Sequence, residues 1–168
     1  MYHTLERMYN ISYFAFQWLG VAVFFLYLSS LILYVPPITS VSHNTTNMVK
    51  SFKKGSYSDF TIDLDVDFTP SFNWNTKMIF VWVKASFTNK NVPYNTATVW
   101  DTMIRKKEKA HLHLTNERIE YPLVSSYNSL LGKEVELTVE WMVVPWSGAT
   151  TVEHGNSTKF VLPTEFSK

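Results

Sequence analysis

The chain has 168 residues, no cysteine, and 15 basic against 14 acidic residues, for a net charge of +1. Such a balance excludes a nucleic-acid surface built on excess positive charge. The lack of cysteine excludes disulfides, thiolate nucleophiles and cysteine-ligated zinc.

Residues 13–35 contain no Asp, Glu, Lys, Arg or His. As a helix they extend about 35 Å, enough to cross a hydrocarbon core about 30 Å thick. The run exceeds the roughly 7–15-residue apolar core of a signal peptide, and bulky Leu33, Tyr34 and Val35 make a poor small-residue cleavage site. It is apolar on all sides, unlike a helix that lies on a core. We therefore read 13–35 as a retained transmembrane anchor behind a tail at 1–12. Arg7 and the amino terminus lie on one side, whereas the other has no Lys or Arg until Lys50. That asymmetry puts the tail in the cytoplasm, as in a type II protein. Tyr13, Phe14, Trp18 and Tyr34 lie near the two ends of the span, where aromatic rings favour the interface. Gly20, Ser29 and Ser30 are small enough to let another helix approach.

Residues 36–57 are polar, open on the helix-stopping Pro36-Pro37, and read as a lumenal stalk, with extended structure where Ile38, Val41 and Met48 can pack and a solvated turn at Lys53-Lys54-Gly55-Ser56. The remainder, 58–168, reads as one lumenal domain. In residues 59–68, Phe60, Ile62, Leu64, Val66 and Phe68 alternate with Thr61, Asp63, Asp65 and Asp67, the period of a strand with one buried face. The aspartates do not form a calcium loop: Phe68 stands where an EF-hand needs Gly, and the closing Glu is missing. The apolar run at 78–87 predicts a strand buried on both faces. Residues 96–104 predict another strand, and the charged 105–109 a hairpin tip or solvated edge. In residues 110–115, His111 and His113 share one strand face, and with no third ligand nearby they read as an exposed pair rather than a zinc site. Residues 121–131 have turn chemistry. In 134–144, Val135, Leu137, Val139, Trp141 and Val143 face inward until Pro145 ends the strand, and 159–162 form a short last strand. Roughly six or seven strands without a convincing helix predict an all-β fold, an antiparallel β-sandwich on a single N-terminal transmembrane helix.

No catalytic, cofactor or metal site emerges. G-x-S-x-G, a Gly-rich phosphate loop and H-E-x-x-H are all missing, and the five histidines are scattered over His3, His43, His111, His113 and His154. Sequons begin at Asn10, Asn44 and Asn156. Asn10 falls on the cytoplasmic side. Asn156, in a Gly-containing stretch read as a loop, is the first candidate for N-glycosylation and Asn44, nearer the bilayer, the second.

Three segments occur in order behind the single anchor: Phe72-Asn73-Trp74-Asn75-Thr76-Lys77 running into the apolar strand as far as Ala85, then Val99-Trp100-Asp101, then Leu137-Thr138-Val139-Glu140-Trp141-Met142-Val143-Val144-Pro145. Together they resemble signal peptidase complex subunit 3, the glycosylated accessory subunit of the endoplasmic-reticulum signal peptidase. The resemblance implies a single-pass type II protein of the endoplasmic reticulum membrane with a lumenal sandwich and no catalytic residues of its own. It implies as partners a Ser-His-Asp catalytic subunit and two small membrane-spanning subunits, in a complex that removes signal peptides from nascent proteins. One departure stands out. The family's usual sequon before the L-T-x-x-W strand is replaced here by Lys133-Glu134-Val135. Trp74 and Trp146 are the candidate aromatic anchors for a partner, while Trp100 and Trp141 read as core. The alternatives are a type II anchored binding or adhesion ectodomain and, with less in the sequence to support it, a membrane-tethered hydrolase.

Overall fold

The computed structural model describes residues 3–52, 55–88, 93–125 and 130–166. Among them, one long helix precedes eight strands in two antiparallel sheets, an all-β domain on a single N-terminal helix. The helix, α1 (Thr4–Ile32), starts before the expected span and takes in 4–12 as well. Its 29 residues extend about 44 Å. None of its side chains is buried, with Phe16 78% and Trp18 70% exposed, and it is long and apolar enough to cross a membrane.

The first sheet joins β1 (Ile38–Phe52), β2 (Gly55–Asp67) and β5 (His111–Arg118), with short β6 (Leu123–Ser125) pairing the start of β2. The second runs in the order β4 (Asn95–Ile104), β3 (Thr76–Phe87), β7 (Glu134–Pro145), β8 (Thr151–Val161). Phe60, Ile62, Leu64 and Val66 of β2, with Phe68 just after it, face Ile79, Val81, Val83 and Ala85 of β3 and Val135, Leu137, Val139 and Trp141 of β7 across a core in which each is at most 3% exposed. Burying each of the larger aliphatic side chains contributes about 1.5–3 kcal/mol. Phe68 meets Trp141 edge to face at 5.7 Å.

Four expectations are corrected. The polar stalk expected at 36–57 is, from Ile38 onward, the edge strand β1, paired with β2 from Ile38↔Asp67 to Phe52↔Gly55. Among the described side chains its inward positions are Thr39, Val41 and His43: Val41 packs as expected, Ile38 is exposed, the Met48 side chain lies outside the described ones, and polar Thr39 and His43 leave no apolar period. Gly55 and Ser56 of the expected turn begin β2, with Ser56 buried, while Lys53 and Lys54 lie outside the described residues. Secondly, β3 is fully buried on one face only: Ile79, Val81, Val83 and Ala85 are buried, whereas Met78, Phe80 and Trp82 on the other side are partly buried. Thirdly, the charged 105–109 is solvated as expected, but it carries the chain from β4 in one sheet to β5 in the other and closes no hairpin. Fourthly, the short strand expected at 159–162 is the long β8, which absorbs the predicted loop around Gly155 and Asn156.

The polar positions of β1 and β8 bind the two sheets at one side. Asn156 donates its backbone N–H to Thr39 Oγ1 at 3.1 Å and its side-chain Nδ2 to the Thr39 carbonyl at 3.2 Å. Thr158 Oγ1 donates to the Val41 carbonyl at 2.6 Å. The His43 ring stacks on Phe160 at 4.0 Å. Gly155 permits this approach, because a Cβ there would collide with the Thr39 side chain.

Candidate functional site

The end of α1 is keyed into one rim of the sandwich. Tyr34 donates its hydroxyl to Glu153 Oε2 at 2.7 Å and accepts from the buried Trp141 Nε1 at 3.1 Å. Ser71 Oγ donates to the Val35 carbonyl at 2.7 Å, and Asn73 Nδ2 reaches the Ser30 carbonyl at 3.4 Å. The 72–75 turn and the β7–β8 turn are zipped together by Asn75. Its Nδ2 donates to the Ser147 carbonyl at 2.8 Å, its Oδ1 accepts from the Ser147 N–H at 3.0 Å, and its carbonyl accepts from the Trp146 N–H at 2.8 Å. Gly148, at φ +116°, lies against the Tyr27 ring, where a Cβ would collide. Tyr27, Leu31, Tyr34, Val143 and Pro145 help to enclose a cavity of about 160 Å³ between helix and rim.

The same rim begins an apolar tract on the outer face of the second sheet. Nearest the helix, Met78 pairs Val144. The next row crosses all four strands as Met103, Phe80, Met142 and Val152. Then come Asp101, Trp82, Glu140 and His154. Phe80, Trp82, Thr98, Asp101, Tyr121 and Met142 line an open concavity of about 520 Å³. Trp82 Nε1 donates to Glu140 Oε2 at 2.9 Å, and Lys84 pairs with the same carboxylate. Tyr121's hydroxyl, bonded to the Asp101 carboxylate, is held above its ordinary pKa by that bond and that charge. Beyond this row the face turns charged, with Glu134, Glu136 and Lys159.

The outer face of the first sheet is polar throughout its β2–β5 half. Asp65 bonds His111 Nε2 at 3.0 Å and lies 3.7 Å from His113 Nδ1. Asp63 accepts from the Asn116 N–H and from Asn44 Nδ2. Asp67 accepts the Thr69 side-chain and backbone bonds, which hold its carboxyl below the ordinary value. Among the described residues, no three His, Asp or Glu side chains converge in a metal-holding group.

The sequence-predicted residues fall in three places. Trp100 and Trp141 are core, 7% and 3% exposed. Trp74 and Trp146 stand on the rim, 50% and 68% exposed, with Lys77 Nζ 5.3 Å from the Trp146 ring. Asn156 lies within β8 with its amide engaged by β1, and Asn44 is exposed at the irregular register of β1 between His43 and Thr46. Sequence reading missed the Tyr34–Glu153–Trp141 link, whose partners are far apart in the chain. It also missed the Phe80–Trp82–Met142 surface, whose signal was present as bulky apolar residues at alternate positions of β3.

The profile of the family described as "Signal peptidase subunit" matches residues 1–165. The chain is 36% identical to signal peptidase complex subunit 3 of Dictyostelium discoideum over 113 residues, 67% of this chain and 65% of the relative. It is 33% identical to the Saccharomyces cerevisiae protein of the same name over 90 residues, 53% of this chain and 49% of that one. For the Gallus gallus protein of that name the figures are 29% over 127 residues, 73% of this chain and 71% of that one. Across the Dictyostelium and yeast relatives the matched chain thus spans about half to two-thirds of their length.

Proposed function

Because this chain belongs to the signal peptidase subunit family, we propose that it is the non-catalytic accessory subunit of an endoplasmic-reticulum signal peptidase. In this reading it holds the catalytic subunit in working geometry while signal peptides are removed from nascent secretory and membrane proteins. The observation that carries the reading is the outer face of β3 and β7. Its row of Met103, Phe80, Met142 and Val152 is apolar, lies on the outer face, and sits toward the end of the sandwich that meets α1. Aromatic and Met side chains on an otherwise polar surface are the composition of a protein interface core. The partners are a Ser-His-Asp catalytic subunit, for which this face is the proposed seat, and two small membrane-spanning subunits. The 1–12 segment is assigned to the cytoplasm, 13–35 to the membrane, and the strand domain to the lumen, following the charge asymmetry around α1.

Two measurements test the proposal. Depleting the protein while the catalytic subunit persists slows signal-peptide removal from a secretory precursor, and unchanged removal overturns the accessory role. Phe80→Glu combined with Met142→Glu changes two half-buried outer-face positions outside the core cluster, so the sandwich, checked by circular dichroism, stays folded while copurification of the catalytic subunit in mild detergent weakens. Full recovery of that subunit with the double variant rules out this face as its seat.

A further inference from the structure

The height of the sandwich above the bilayer follows from the helix. Residues 13–32 rise about 30 Å and fill a hydrocarbon core by themselves, so Tyr27 and Ser30 lie within about 8 Å of its edge. The rim loops are seated at that level: Gly148 packs on Tyr27, and Asn73 bonds the Ser30 carbonyl. Trp74 follows Asn73, and Trp146 precedes Gly148 by two residues. Both indoles remain exposed although the loops bearing them are held rigidly by Asn75, and nearby Ile38 is 83% exposed.

We propose that this rim is a membrane-contact site in which Trp74 and Trp146 enter the boundary between lipid headgroups and acyl chains. Lys77, stacked beside Trp146, then lies at the level of the lipid phosphates. The occupant is lipid because the patch is continuous with the apolar surface of α1, which at this height is itself bathed by lipid. Tryptophan favours this boundary, since its ring is apolar and its N–H polar, and lysine extends its ammonium toward the headgroups. The expected protein contact at Trp74 and Trp146 gives way to this reading, and the protein-facing role passes to the outer face of β3 and β7. Three attachments, the helix and two indoles, fix the tilt of the domain where a helix alone leaves it free to swing.

The test uses the full chain alone, reconstituted in phosphatidylcholine vesicles, so it does not depend on the peptidase assignment. Wild type is compared with Trp74→Phe/Trp146→Phe in vesicles whose lipids are brominated either near the carbonyl end or near the methyl end of the acyl chain. The fluorescence lost with the double variant is quenched more by shallow than by deep bromine, and aqueous acrylamide removes little of it. Trp18, within α1 in both proteins, is quenched by lipid and reports insertion. Unquenched Trp18 means that the helix is not in the bilayer, and the proposal falls with it. Equal shallow quenching of the two proteins overturns the proposal. So does full acrylamide access to the Trp74 and Trp146 signal in vesicles, including the case in which the assembled complex alone shields it, the mark of a protein contact. Should the double variant fail to fold, a nitroxide on Ser147→Cys in this cysteine-free chain reads depth directly, and relaxation by a water-soluble agent rather than by oxygen refutes the site.

Discussion

Tyr34 and Glu153 are 119 residues apart in sequence and share a 2.7 Å hydrogen bond, with the Tyr34 oxygen also receiving the indole N–H of Trp141. This one hydroxyl joins the end of the helix to the edge strand β8 and to the core.

Tyr34→Phe removes both bonds and leaves Trp141 Nε1 buried without its acceptor. An orphaned buried donor costs about 1–3 kcal/mol. The expected outcome is a lower unfolding temperature for the full chain in detergent. Trp141→Phe added to Tyr34→Phe costs less than Trp141→Phe does alone, because the orphaned donor is gone, and a double-mutant cycle of unfolding free energies measures that coupling.

Gly148→Ala strains the β7–β8 turn twice, through its φ of +116° and through the Tyr27 ring. Overpacking of this kind typically costs about 1–3 kcal/mol. Tyr27→Ala in the same background restores part of the loss, since it clears the collision but not the backbone strain. Equal stabilities for Gly148→Ala with and without Tyr27 mean that the turn does not rest on the helix.

Acid stability depends on His43. Burial between the sheet edges holds its pKa below the ordinary 6.5, while its ring lies flat on Phe160. The unfolded chain therefore binds the proton first as pH falls. The contribution of His43 is complete above pH 6.5 and is lost as pH drops through the folded-state value. Unfolding free energies measured across this acid range fall for the wild type. His43→Phe keeps the stack, removes the titration, and flattens the decline.

Glycan occupancy separates two sequons. β1 carries Asn44 about 20 Å along the strand from Ile38, and its side chain is exposed. Asn156 is exposed too, but its Nδ2 and N–H are tied to the Thr39 carbonyl and hydroxyl of the neighbouring strand, whereas the Asn44 Nδ2 bond goes to the side chain of Asp63. In a lumenal domain, an endoglycosidase-sensitive gel shift is lost with Asn44→Gln and kept with Asn156→Gln, reversing the order that the sequence alone suggested. Asn156→Gln lowers stability through the lost bonds to β1.

What the sequence revealed depended on where each strand lies. In β2 and β7, central to their sheets, Ile62, Leu64, Val66 and Leu137, Val139, Trp141 alternate cleanly because one face is core and the other is wet. At the edges, β1 and β8 turn Thr39, His43, Gly155 and Thr158 toward each other, so hydrogen bonds and a ring stack replace aliphatic contacts and the apolar period vanishes. β3 failed in the opposite sense. Phe80 and Trp82 are as apolar as Ile79 and Val81, and composition does not distinguish a covered outer face from an open one. The Tyr34–Trp141 bond was out of reach because helix and strand meet only in three dimensions.

The seam between α1 and the rim also sets a rotational phase. Tyr27, Ser30 and Leu31 lie toward the sandwich. At about 100° per residue, Gly20, two turns earlier, shares their azimuth, while Ser29 points nearly the opposite way. Helix and domain therefore turn as one key. A second helix that approaches closely at Gly20 lies beneath the sandwich, on the side of Glu153 and the rim, whereas one that meets Ser29 stands clear of it.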